Sequence, residues 1–237
     1  MDGRTLNFDL GGGVAGLNTG LNFTMRDRET QSLWHQATGE AFLGPLKGKR
    51  LTIVPFEITT WGEWRVQHPD TLALALESRY QDQYRRMAER VAGLRAAATP
   101  ERAPLRDDPR LPPHEQVVGI ETRDGHKAYP LALVGKQTAL NDQVGSTPVL
   151  LIHSTAGDSI TAFSRRLHGR TLTFRAAKPG AADVVDNETA STWTRYGESV
   201  AGTLKGEKLE SMTPLPSFWF AWAEYFPDTE VYSAGVR

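Results

Sequence analysis

The chain contains no cysteine among its 237 residues. That excludes a disulfide framework, thiolate metal sites, iron–sulfur ligation and a cysteine nucleophile. It leaves the compartment open, because a chain that buries roughly 70% of its unfolded surface needs no covalent staples. No stretch approaches the ~18 uninterrupted apolar residues of a membrane span. Met1 to Leu6 shows no basic segment leading into an apolar run, so no signal peptide is read there. An excess of one charge is missing too: 27 Lys and Arg stand against 28 Asp and Glu, which points away from nucleic acid as a partner. The six histidines show no H-x-H or H-x-x-x-H spacing. A metal site would have to be assembled from distant segments, and no metal or other cofactor is expected.

What is present is an internal repeat. Gly3-Arg4-Thr5-Leu6-x-Phe8 recurs as Gly169-Arg170-Thr171-Leu172-x-Phe174, and Asp27-x-Glu29-Thr30-x-Ser32-x-Trp34 as Asp186-x-Glu188-Thr189-x-Ser191-x-Trp193. The order is kept through Gly39-Glu40 and Gly197-Glu198, Gly44-x-Leu46-Lys47-Gly48 and Gly202-x-Leu204-Lys205-Gly206, and Trp64 with Pro69-Asp70-Thr71 and Trp222 with Pro227-Asp228-Thr229. Coincidence does not produce such a series. The second unit has some fifty residues, Val117 to Gly169, ahead of its G-R-T-L for which the first unit shows no counterpart. The first copy therefore reads as beginning half way through.

Val117 to Thr122 and Lys127 to Leu131 flank Asp124-Gly125 and predict a hairpin, because Asp-Gly between apolar runs suits a tight turn with positive φ. The apolar run Val149 to His153 predicts a buried strand, and two more strands, Ile160 to Arg165 and Thr171 to Arg175, meet around His168-Gly169. In the first copy Asp2-Gly3 stands at that turn, so a strand from Arg4 to Leu10 lacks its hairpin partner. An unpaired edge predicts either a fragment of a longer product or self-association through this strand. Ser78-x-x-Gln81 has the form of a capping box, and Tyr80, Tyr84, Met87, Val91 and Leu94 form a stripe, so Ser78 to Ala98 predicts the one long helix, its stripe on the sheet. Pro100, Pro104, Pro109, Pro112 and Pro113 mark an extended linker. The expected fold is α+β and β-rich: an incomplete first unit (1–77), the connecting helix (78–98), the linker (99–116) and a complete second unit (117–237). Its strands are expected to be antiparallel, with a short helix near Ser217 to Tyr225.

The repeated G-R-T-L-x-F, the D-R-E-T-x-S-L-W-x-Q at Asp27 to Gln36, the G-E-A-x-x-G-P-L-x-G at Gly39 to Gly48 and the W-x-x-W-x-x-x-x-P-D-T at Trp61 to Thr71 resemble the bacterial and archaeal domain-of-unknown-function family 3179. Arg110-Leu111-Pro112-Pro113, Lys127 to Leu131, Asn141-Asp142 and Phe218 to Trp222 resemble that family's C-terminal copy. The resemblance implies an exported or membrane-anchored protein, hence a periplasmic or secreted location. It also implies a Cys-Pro-x-Cys segment, in place of which the second copy has Ser154-Thr155-Ala156-Gly157; Gln137-Thr138 replaces a His-Glu pair ahead of Asn141-Asp142. Thiol or metal chemistry implied by the family has no ligands here, and the family brings no established activity.

Gly11-x-Gly13-x-x-Gly16 fits a dinucleotide fingerprint in form, but Leu17 to Asn22 is no helix start of the kind that fingerprint needs, and a Gly loop explains it. His153, Ser154 and Asp158 hold the residue types of a hydrolase triad within one turn too short to align them. Glu40 and Glu198 occupy equivalent places and read as scaffold, as do the repeated tryptophans in their core role. The better candidates for function are polar residues in which the first copy departs from the second: His35 against Thr194, Gln36 against Arg195, and His68 against Phe226. With Trp34 and Trp64 as aromatic walls they form the expected ligand site; no catalytic residue is assigned. The sequence thus reads as a non-catalytic, extracytoplasmic binding or accessory protein for a small molecule or protein. The alternative is the scaffold part of a thiol- or metal-dependent redox protein or enzyme whose Cys-containing half-unit lies elsewhere.

Overall fold

The computed structural model describes residues 5–9, 17–18, 22–54, 56, 58–96, 108–155, 159–178 and 180–234. It is an α+β protein rich in β-structure, as the sequence predicts. In the first part, β1 (Phe8–Asp9), β2 (Leu17–Asn18), β3 (Asn22–Asp27), β4 (Leu33–His35) and β5 (Ala41–Leu43) form an antiparallel sheet in the order β1-β3-β4-β5, with β2 also on β3. Helices α1 (Trp61–Gln67) and α2 (Gln81–Ala96) follow.

The turn between β3 and β4 is built around one carboxylate. Asp27 is fully buried and accepts hydrogen bonds from the Trp34 indole Nε1 at 2.8 Å, the Thr30 amide at 2.5 Å and the Ser32 amide at 3.1 Å. Gln31 is thereby held at φ 61°, and Gly44 at φ 98° approaches so closely that a Cβ there would lie 2.7 Å from Ser32 Cα. The same set stands at Asp186, which accepts from Trp193 Nε1 at 2.8 Å, the Thr189 amide at 2.6 Å and the Ser191 amide at 3.1 Å, with Ala190 at φ 57°.

The second part adds β6 (Gln116–Glu121), β7 (His126–Pro130), α3 (Leu131–Val134), β8 (Ala139–Val144), β9 (Thr147–Ser154) and β10 (Ser159–Ser164). After these come β11 (Arg166–Leu167), β12 (Arg170–Thr171), β13 (Phe174–Ala176), β14 (Val184–Asp186), β15 (Thr192–Trp193) and β16 (Ser199–Ala201). The chain ends with β17 (Ser211–Met212), β18 (Leu215–Phe218), α4 (Trp219–Tyr225) and β19 (Glu230–Val231). Its larger sheets run β17-β10-β9-β8, β13-β14-β15-β16 and β18-β6-β7-β19; across His168-Gly169 only the short β11 and β12 pair, whereas the longer strands expected to meet there pair elsewhere, β10 with β9 and β17 and β13 with β14.

Strand β9 explains the layering. Its residues alternate between two cores: Val149 and Leu151 join Val118, Ile120 and Tyr129, whereas Leu150 and Ile152 join Phe163, Phe174 and Trp193. A strand covered on both faces needs an unbroken apolar run, which is what Val149 to Ile152 supplies. On the outer face of β6 and β7, Val117 and Ala128 meet Trp219, Trp222 and Phe226 of the α4 region. Gly119 is required there, because a Cβ would sit 2.0 Å from the Trp222 ring.

Several expectations change. The helix after residue 77 starts as a 3-10 turn at Ser78–Tyr80, its cap position is Glu77, and no side chain caps it. The capping box is therefore not formed. Tyr84 and Met87 are exposed, so the stripe does not lie on the sheet; amphipathic spacing permits docking but does not supply a surface to dock on. Strand Arg4 to Leu10 is reduced to Phe8–Asp9 within the described residues, and it pairs with β3 of its own sheet. Strand Thr171 to Arg175 is interrupted at residues 172–173. Among the described residues one pair is parallel, β19 against β7. Within the proline-rich segment, residues 108–115 dock on α4: the Trp219 amide donates to the Glu115 carbonyl at 2.8 Å, and Arg110 Nη1 donates to the Thr229 carbonyl. Gly11 to Gly16 and Asp158 lie outside the described residues.

Candidate ligand-binding cleft

The helix that closes each sheet region touches the turn of the other. From α1, Glu63 accepts hydrogen bonds from Arg195 Nη1 and from the Ser154 hydroxyl at 3.1 Å, and Gln67 meets the Tyr196 hydroxyl. From α4, Tyr225 lies edge-on to His35 with ring centroids 4.8 Å apart. This second meeting opens a cleft with a cavity volume of about 490 Å³. His35, Thr38, Glu40 and Arg50 form one wall; Glu121 and His126 at the tip of the β6–β7 hairpin, with Glu224, Tyr225 and Phe226, form the other.

Local folding explains why these side chains face each other. β4 alternates, so Trp34 turns into the core and His35 turns out. His35 stacks on Phe42, centroids 4.2 Å apart, while His126 stacks on Phe226 at 4.3 Å. Arg50 Nη2 reaches across to Glu121 Oε1 at 2.6 Å and ties the walls together. Burial pushes the His35 imidazole below its ordinary value, with Glu40 pulling weakly the other way. Burial also raises the Tyr225 phenol, so at neutral pH the cleft presents a neutral imidazole and a neutral phenol. Among the described residues, His35 Nδ1, Glu224 Oε2 and the Tyr225 hydroxyl are buried without a hydrogen-bond partner. Three carboxylates against one guanidinium make the lining acidic.

Of the expected site residues, His35 lines the cleft. Trp34 is fully buried and holds Asp27 from within the core. Gln36 is exposed beside the cleft in sequence and is not part of its lining. Trp64 on α1 and His68 at its C-terminal cap hold their rings tilted against each other with centroids 3.9 Å apart, and the Trp64 indole donates to Thr71 Oγ1 at 3.1 Å. His35 and His68 thus lie on different elements, and His68 is not in the His35 cleft. Comparing the two matching sequence segments from the first side alone misses Glu224, Tyr225 and Phe226. The same rule applied from the second side finds them, since they replace Val66, Gln67 and His68. Glu40, read as scaffold, is in the lining.

A family model described as a protein of unknown function, DUF3179, matches residues 4–229. The chain belongs to that family. No curated protein and no solved structure matches it. Among the described residues no helix is long and apolar enough to cross a membrane.

Proposed function

We propose that this member of DUF3179 is a non-catalytic binding or accessory module, acting outside the cytoplasm, that holds a small cationic ligand in the His35 cleft. One observation carries the reading: three buried polar groups without partners, on His35, Glu224 and Tyr225, converge on an acidic, aromatic-walled cleft. Buried polar groups are ordinarily satisfied, so a donor-bearing ligand is the natural complement. The neutral His35 Nδ1 can accept, the Glu224 carboxylate can take an ammonium or guanidinium hydrogen, and the ring faces favour a cation. The extracytoplasmic place rests on the family resemblance. Shared turn geometry at Asp27 and Asp186 supports the inference that the two segments are copies of one unit, the first incomplete.

Isothermal titration with putrescine and arginine, against succinate as the anionic control, tests the site. Both cations should bind and succinate should not. Glu224→Gln should weaken cation binding roughly tenfold or more, the worth of a charge-assisted hydrogen bond. Equal affinity for succinate, or unchanged binding in Glu224→Gln, overturns the reading.

A further inference from the structure

The polar groups of the His35 cleft fall into two sets with opposite needs. On the α4 side, Glu224 Oε2 and the Tyr225 hydroxyl are buried without hydrogen-bond partners, and His35 Nδ1, whose ring meets Tyr225 edge-on, is in the same condition. A carboxylate oxygen and an unprotonated ring nitrogen are acceptors, so this end calls for a donor. On the other wall Glu40 and Arg50 stand directly opposite each other in an antiparallel bridge, an arrangement that sets two side chains on one face with Cβ atoms roughly 5 Å apart. Arg50 gives one nitrogen to Glu121, at 2.6 Å, and its side chain stays 47% exposed. A guanidinium carries donors on all three of its nitrogens, so the others remain for a ligand.

The matching bridge in the second part shows the difference. Glu198 and Lys208 face each other in the same way, and there Lys208 pairs with Glu198 itself at 3.7 Å. In the cleft Glu121 draws Arg50 aside, so Glu40 is left out of that ion pair. The cavity therefore presents one carboxylate and one guanidinium side by side, with the Glu224 carboxylate on the opposite wall.

We infer that the ligand of this cleft is a free basic α-amino acid, with its α-carboxylate on Arg50, its α-ammonium on Glu40 and its side-chain cation on Glu224 and His35. The inference rests on the cation-binding reading of the same cleft and deepens it. Neighbouring opposite charges on the protein fit the neighbouring opposite charges on one α-carbon, and the third charge lies across the cleft, as a basic side chain carries its cation away from that carbon. The cavity of about 490 Å³ is within the range of small-molecule sites. A diamine would meet the carboxylates and leave Arg50 unused, whereas a dicarboxylate would meet Arg50 and leave Glu40 and Glu224 facing like charge.

Isothermal titration with L-arginine, agmatine and Nα-acetylarginine tests it. Agmatine keeps both cations and lacks only the carboxylate; Nα-acetylarginine keeps the carboxylate and guanidinium and lacks only the ammonium. Three carboxylates against one guanidinium, acting through net charge alone, would favour agmatine, the dication. The assignment predicts instead that arginine binds roughly tenfold or more tightly than either analogue, the worth of one charge-assisted hydrogen bond. In Arg50→Gln the advantage over agmatine should vanish with agmatine bound no more weakly than before, and in Glu40→Gln the advantage over Nα-acetylarginine should vanish. Agmatine binding as tightly as arginine overturns the amino-acid assignment and leaves the cation reading standing. So does an equal loss of both ligands in Arg50→Gln, which reduces Arg50 to a brace between the walls. Binding of none of the cations overturns both readings.

Discussion

Removing the charge at Asp27 is the sharpest probe of how the first sheet is held. Its carboxylate takes the Trp34 indole hydrogen at 2.8 Å, the Ser32 amide at 3.1 Å, and the Thr30 amide and hydroxyl at 2.5 and 2.9 Å. Trp34 and Ser32 are fully buried, so their donors find no water if the acceptor goes. Asp27→Asn keeps one acceptor oxygen and turns the other position into a donor facing donors. With roughly 1–3 kcal/mol for each buried donor left unsatisfied, and not all of them lost, the substitution should cost about 2–4 kcal/mol at pH 7. Urea unfolding followed by tryptophan fluorescence reads this, and Asp186→Asn, with the same bond set, should cost a similar amount.

The pH dependence gives an independent check. Burial works to raise the Asp27 pKa, but hydrogen bonds from Trp34, Thr30 and Ser32 outweigh it and hold the carboxyl below its usual value. A folded pKa below the unfolded one contributes stability above about pH 4, which is lost as pH falls through the folded value. The gap between Asp27→Asn and the parent should therefore be fully open at pH 7 and close on acidification below about pH 4. A loss under about 0.5 kcal/mol at pH 7, or a gap that does not narrow in acid, would refute the carboxylate-centred turn.

Two further outcomes follow from particular contacts. Gly119→Ala places a methyl 2.0 Å from the Trp222 ring and should cost about 2–4 kcal/mol, read by thermal unfolding; a loss under 1 kcal/mol would mean that α4 can slide on β6. His35, held below its ordinary pKa by burial with Glu40 opposing, should lower stability as pH falls from about 6.5 toward its folded value, because the unfolded chain takes the proton first. His35→Gln should flatten that slope in a denaturation series between pH 7 and 5, and an unchanged slope would remove His35 from the account.

What could be read in the sequence was local. The β6–β7 hairpin was legible because Asp124-Gly125 lies in its turn, although that turn spans four residues and neither Asp124 nor Gly125 takes the positive φ expected of the dipeptide, and β9 because a strand buried on both faces has an unbroken apolar run. The short helix near Tyr225 was legible from its aromatic spacing, yet its twin at Trp61–Gln67, with the same W-x-x-W, escaped. The helix after Tyr80 failed differently: its stripe is real in sequence, but Tyr84 and Met87 find no surface among the described residues. His35 was legible as a departure between the two matching sequence segments. The rest of its cleft was not, because Glu121, His126 and Glu224 come from segments more than seventy residues away in sequence.

That distance accounts for why no equivalent of this cleft forms around Thr194 among the described residues. His35, Glu40 and Arg50 have Thr194, Glu198 and Lys208 as counterparts, and α4 has α1. A second cleft would therefore need Thr194, Glu198 and Lys208 facing α1. Part of that meeting exists, with Glu63 holding Arg195 and Gln67 touching Tyr196. What it lacks is a hairpin tip such as Glu121 and His126 supply, since in the first cleft Arg50 reaches that tip at 2.6 Å and braces both walls. Lys208 instead pairs with Glu198, at 3.7 Å between two exposed side chains. An exposed pair of that kind contributes about 0–1 kcal/mol and braces nothing.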